Sequence, residues 1–112
     1  MAGALTTHVL DTANGTAAAG LKITLYRLDS TNRTELGTWT TNHDGRTNTP
    51  LLAGETLVPG LYELIFAVGA WRNDTSSFYD DIPIRFRVTN PTSHYHIPLI
   101  LSPFSYATYR GS

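Results

Sequence analysis

Short runs with an apolar residue at every second position, broken by turn dipeptides, constrain this chain more than any other feature. The cleanest is Leu21-Lys22-Ile23-Thr24-Leu25-Tyr26, where Leu21, Ile23 and Leu25 share one face of an extended segment. Ile82 to Val88 repeats the pattern, with Ile82, Ile84, Phe86 and Val88 turned inward and Arg85 and Arg87 outward. Leu61 to Val68 puts Tyr62, Leu64, Phe66 and Val68 on one side, directly after a Pro59-Gly60 turn signal. Further strand candidates are Leu5–Leu10, Leu36–Thr41, Thr47–Thr49, His94–Leu101 and Phe104–Arg110. Asn14-Gly15, Asp44-Gly45, Asn90-Pro91 and Ser102-Pro103 separate these runs with turn chemistry. Only Gly69–Ser76 has room for a helical turn or two, too little for a layer of its own. The pattern predicts an all-β fold, a two-sheet sandwich of about eight strands with one short helix.

At 112 residues, 1–112 is expected to form a single domain. Eight Lys+Arg against nine Asp+Glu leave a formal charge of −1, so no basic field draws the chain to nucleic acid or to an anionic membrane. The absence of cysteine excludes disulfide staples and thiolate metal clusters. Met1–His8 lacks a cationic region followed by an apolar one, and no stretch approaches the ~18 apolar residues of a membrane span. A cytoplasmic location, with neither nucleic acid nor membrane as partner, is expected.

Alternation also sorts the histidines. In Leu5–Leu10 it places Leu5 and Val9 on one face and Thr6, His8 and Leu10 on the other. In His94–Leu101 the core face is Tyr95, Ile97, Leu99 and Leu101, which leaves His94, His96, Pro98 and Ile100 outside. An outer face that mixes imidazoles with Leu10, Pro98 and Ile100 is too apolar for open water and marks an interface or a ligand groove. Along Phe104–Arg110, Ala107 and Tyr109 fall on one side, Phe104 and Tyr106 on the other. A strand histidine taken singly is usually solvated or hydrogen-bonded, and His43, in the polar turn Asn42-His43-Asp44-Gly45, and His94, at a strand edge, are read that way. His94 and His96 share a face, but no acid or thiol accompanies them, so no metal site is expected. Asp80-Asp81 is read as a loop feature, because neighbours in an extended chain point apart.

Leu5-Thr6-Thr7-His8-Val9-Leu10-Asp11-Thr12, Asp44-Gly45-Arg46, Tyr95-His96-Ile97-Pro98-Leu99-Ile100-Leu101-Ser102-Pro103 and the ending Tyr109-Arg110-Gly111-Ser112 resemble the corresponding segments of the 5-hydroxyisourate hydrolases. These are the transthyretin-like enzymes of purine catabolism. The resemblance runs over nearly the whole chain, and the Tyr-Arg-Gly-Ser ending separates the enzymes from the hormone carriers of the same fold. Asp80 stands where a Pro is common and Ala107 where a Ser is common.

The resemblance implies a transthyretin-like sandwich assembled as a homotetramer, with active sites where dimers meet along a channel. It implies hydrolytic opening of 5-hydroxyisourate, a product of urate oxidation, to 2-oxo-4-hydroxy-4-carboxy-5-ureidoimidazoline. Such chemistry needs a base for water, a cation for the developing oxyanion and hydrogen bonds to a flat heterocycle. Histidine titrates near neutrality, so His8 and His96 suit the proton transfers. The planar, permanently charged Arg46 suits the oxyanion. Tyr109 and Ser112, with its terminal carboxylate, would bind substrate, and Arg110 would anchor the tail. No cofactor is called for. A non-catalytic carrier would need apolar walls but no base, and an adhesion-type sandwich would explain the strands but not the histidines.

Overall fold

The alternating runs pair into two sheets in the computed structural model, which describes residues 2–73 and 77–111. In chain order the strands are β1 (Ala4–Asp11), β2 (Thr16–Ala17), β3 (Lys22–Leu28), β4 (Arg33–Thr40), β5 (Leu52–Ala53), β6 (Gly60–Ala67), β7 (Asp81–Val88), β8 (Tyr95–Leu101) and β9 (Tyr106–Thr108). A 3-10 turn at Gly54–Thr56 precedes β6, and the helix α1 (Val68–Arg72) follows it. One sheet runs β2-β1-β8-β9, with β5 also on β1, and the other runs β4-β3-β6-β7. The fold is therefore the expected all-β sandwich with one short helix.

The core forms where the inward faces meet. Leu5 and Val9 of β1 and Leu99 and Leu101 of β8 join Ile23 and Leu25 of β3 and Tyr62, Leu64 and Phe66 of β6 in one buried cluster. Each such side chain contributes about 1.5–3 kcal/mol through burial, so slipping any strand by one residue would forfeit several of these at once. Ile82 and Val88 of β7 are buried as predicted, while Ile84 and Phe86 pack partly covered against the cluster.

Some boundaries differ from expectation. Thr47–Thr49 is no strand: the Thr47 hydroxyl donates to the Thr49 carbonyl at 2.6 Å, and Asn48 is tied to Asn42 at 3.0 Å. Local side-chain bonding of this kind competes with strand pairing. Phe104–Arg110 pairs as a regular strand only over Tyr106–Thr108, since the Ser102 amide turns back onto the Ser105 carbonyl. Val68 is buried as expected, but as the first residue of α1, which ends at Asn73 with φ 50°. The predicted helical segment Gly69–Ser76 thus starts one residue early, and its residues 74–76 lie outside those described. Asp80 precedes β7 and Asp81 opens it. Among the described residues no helix is long and apolar enough to cross a membrane.

Candidate active site

β1 and β8 lie side by side in parallel, so the residues expected outside meet as pairs: Thr6 with His96, His8 with Pro98, Leu10 with Ile100; of these Pro98 is buried, contrary to expectation, while the others are half-buried. Between them Leu5, Thr7, Val9, Tyr95, Ile97 and Leu99 are buried. Both histidines thus face outward because the core claims every alternate residue. Thr6 Oγ1 lies 2.8 Å from His96 Nδ1 across this pairing.

Arg46 arrives on a turn that is fastened to the same strand. Asn42 Oδ1 accepts the amides of Asp44 at 2.9 Å and Arg46 at 3.2 Å, while the Asn42 amide donates to the Arg46 carbonyl at 2.7 Å. The Gly45 carbonyl accepts the Val9 amide at 2.8 Å, directly after His8. Gly45 is buried with φ 74°, and a Cβ there would collide with the Val9 carbonyl oxygen. Gly45→Ala is therefore expected to cost about 1–3 kcal/mol of stability and to pull Arg46 off β1. A thermal midpoint lowered by several degrees, with turnover reduced further than the midpoint alone explains, is the expected result; an unchanged protein would refute it.

Thr6, Arg46, His94 and His96 line a cavity of about 370 Å³. Two of the anticipated site residues, Arg46 and His96, are thereby brought together, and His94, set aside from sequence, stands exposed at the same cavity. His8 does not line it but is near enough to act on His96 electrostatically. Burial first, then the Arg46 guanidinium, then His8, holds the His96 imidazole below the ordinary histidine range. Its neutral form is favoured. The Arg46 side chain is exposed and makes no hydrogen bond or ion pair among the described residues.

The tail crosses beside this cavity. β9 pairs Ala107 with Ile100 on the outer face, and the same register returns at Gly111 opposite His96. The Gly111 amide donates to the His96 carbonyl at 2.7 Å, and a Cβ on Gly111 would stand 2.7 Å from His96 Cδ2. Arg110 falls on the opposite face, where its guanidinium carbon lies 4.2 Å from the centre of the Tyr95 ring and Nη2 donates to the His94 carbonyl at 3.0 Å. The Thr89 hydroxyl and the Asn90 and Thr89 amides hold the Tyr95 phenol, which is pushed down to about 8. Tyr109 is exposed and lines a separate cavity of about 290 Å³ with Arg85, Arg87 and Arg110. Ser112 lies outside the described residues. No three His, Cys, Asp or Glu side chains converge as a metal site among the described residues.

Thr6, Asn42, Gly45 and Gly111 carry parts of this geometry that sequence reasoning did not assign. Gly45, in a turn, and Gly111, two residues past a strand tyrosine, were visible as glycines, but Gly45 packs against Val9 and Gly111 against His96, and Thr6 meets His96 across ninety residues of sequence.

A family model described as HIUase/Transthyretin matches residues 5–111. The chain belongs to the HIUase/transthyretin family. The matched span begins at the first core leucine of β1 and ends at the glycine packed on His96. A 5-hydroxyisourate hydrolase of Mesorhizobium japonicum is 52% identical over 98% of this chain and 93% of its own length. Among solved structures, an (S)-allantoin synthase superposes with a TM-score of 0.92 and 42% identity over 99% of this chain, which spans 44% of that longer one. The 5-hydroxyisourate hydrolase of Klebsiella pneumoniae superposes with a TM-score of 0.84 at 32% identity, covering 98% of this chain and 99% of the other.

Proposed function

We propose that the protein hydrolyses 5-hydroxyisourate to 2-oxo-4-hydroxy-4-carboxy-5-ureidoimidazoline, acting as one hydrolase domain over residues 1–112. The observation that carries this reading is the convergence of Arg46 and His96 on one cavity, in a chain whose full-length relatives are named for that reaction.

His96, neutral at physiological pH, takes a proton from water as the water oxygen attacks the ring carbonyl. Charge collects on the carbonyl oxygen, where the Arg46 guanidinium stabilises it in a partly desolvated cavity. The carbon–nitrogen bond then breaks, the departing nitrogen receives a proton, and the carbonyl carbon stays on the opened product as its carboxylate. His8 orients the water or returns that proton. Tyr109 and the terminal Ser112 are assigned to substrate binding.

A second copy of the chain is part of the proposal. Leu10 and Ile100 lie side by side, half-exposed, on the outer face that carries the histidines. A homotetramer, as the family resemblance implies, would cover them. Sedimentation equilibrium should return four copies, and a fully active monomer would contradict the shared site.

The pH dependence follows from His96. Activity requires its neutral form, so kcat/KM should rise with pH through a single acid limb whose midpoint lies below the ordinary histidine value of about 6.5. In Arg46→Gln the larger cause, burial, persists, so the His96 titration seen by NMR should move only part of the way back up. A midpoint at or above the ordinary value would remove His96 as the base. The function itself is tested by generating 5-hydroxyisourate in place from urate and following its near-ultraviolet absorbance: the protein should accelerate the decay, and an unchanged decay would refute the reading.

A further inference from the structure

His96 is held on two sides of its ring. Thr6 Oγ1 is 2.8 Å from Nδ1, and the hydrogen-bonded register of β1 and β8 sets the two residues directly opposite one another. On the other edge Gly111 is pressed against Cδ2, so closely that even a methyl group there would displace the ring. With Nδ1 and Cδ2 occupied, Nε2 is the nitrogen left to meet the cavity that Thr6, Arg46 and His94 share with His96.

Resting on the hydrolase reading above, we propose that Thr6 is a positioning residue which accepts the Nδ1 proton of His96 and so keeps the Nε2 lone pair directed into the cavity. A neutral imidazole carries its single proton on one nitrogen or the other, and the partner of Nδ1 selects which. The Thr6 hydroxyl, used as an acceptor towards His96, keeps its own O–H as a hydrogen-bond donor. The geometry of Gly111 supports the same orientation by blocking rotation of the ring towards the tail. Sequence alternation placed Thr6 on the outer face but could not show its partner.

The test uses the full chain and three variants. Thr6→Val keeps a β-branched shape on the strand and removes the hydroxyl, whereas Thr6→Ser keeps it. Nitrogen-15 NMR of the histidine rings should show His96 of the wild type as the Nδ1-protonated tautomer, with a mixture in Thr6→Val and the wild-type pattern restored in Thr6→Ser. Gly111→Ala should disturb the same ring signals without removing the hydroxyl. In steady-state assays kcat of Thr6→Val should fall about tenfold with KM changed by less than about twofold, the pattern for a group that acts in the transition state. Thr6→Ser should recover most of it. An Nε2-protonated His96 in the wild type, or a Thr6→Val protein with wild-type ring signals and wild-type kcat, overturns the proposal. The NMR arm needs no turnover, so a wild type that fails to hydrolyse 5-hydroxyisourate would overturn the functional reading while the ring signals still decide the role of Thr6.

Discussion

His8→Asn and His96→Asn should each lower kcat by about 10²–10⁴, the usual loss on removing a general acid or base, and leave the protein folded. Asparagine can replace one hydrogen bond of imidazole but cannot take up a proton near neutral pH. Both histidines project from the outer face, and neither belongs to the buried cluster that joins the sheets. Thermal midpoints should therefore move by little, since no core cavity opens and a lost side-chain hydrogen bond costs about 1 kcal/mol. His96→Asn should show the larger defect and lose the acid limb of the pH profile, whereas His8→Asn should keep that limb, shifted slightly upward because the charge of His8 no longer opposes protonation of His96. Steady-state kinetics over a range of pH, with circular dichroism melts alongside, measure all of this. Turnover within a few-fold of wild type in both variants would return the chain to the carrier alternative.

Removing Tyr109 to Ser112 is the second change with a large expected effect. It deletes the Gly111 amide bonded to the His96 carbonyl, the Arg110 clamp on Tyr95 and His94, and the Tyr109 hydroxyl. None of these residues belongs to the buried cluster, which keeps Ile97, Leu99 and Leu101 of β8. Freed of Gly111, the His96 ring can swing into the space the tail occupied, and a misplacement of about 1 Å in a catalytic group is worth on the order of 10²-fold in rate. We expect kcat/KM to fall by at least that factor while the thermal midpoint drops by only a few degrees. Retained turnover would refute the tail's part in the site, and an unfolded product would show its part to be structural.

How much of this was legible in the sequence depended on the range of the interaction. Period-two alternation is local, and it correctly separated Leu5 and Val9 from Thr6 and His8, and Ile97 and Leu99 from His96. Nothing local states that β1 and β8 are neighbours, or that they run parallel in a register that sets Thr6 against His96. The two-residue strands β2 and β5 are too short to show a period, and Thr47–Thr49 showed one that its own hydroxyl and amide groups overrode. Arg46 carried no structural signal of its own in a polar turn. Its role was read from resemblance, and the Asn42 bonds that shape its turn and the Gly45 bond that fastens it to β1 appear only in three dimensions. His94 was discounted because a strand-edge histidine is ordinarily solvated, yet the parallel pairing places it beside the cavity.

Whether this outer-face cavity hydrolyses 5-hydroxyisourate is decided by watching the product form. Carbon-13-labelled urate, oxidised in place, supplies labelled 5-hydroxyisourate whose conversion is followed by NMR at several protein concentrations. The resonances of 2-oxo-4-hydroxy-4-carboxy-5-ureidoimidazoline should grow at a rate proportional to the protein present and fall towards the uncatalysed rate with His96→Asn. Growth that is independent of the amount of protein, or that survives His96→Asn unchanged, would contradict the hydrolase reading.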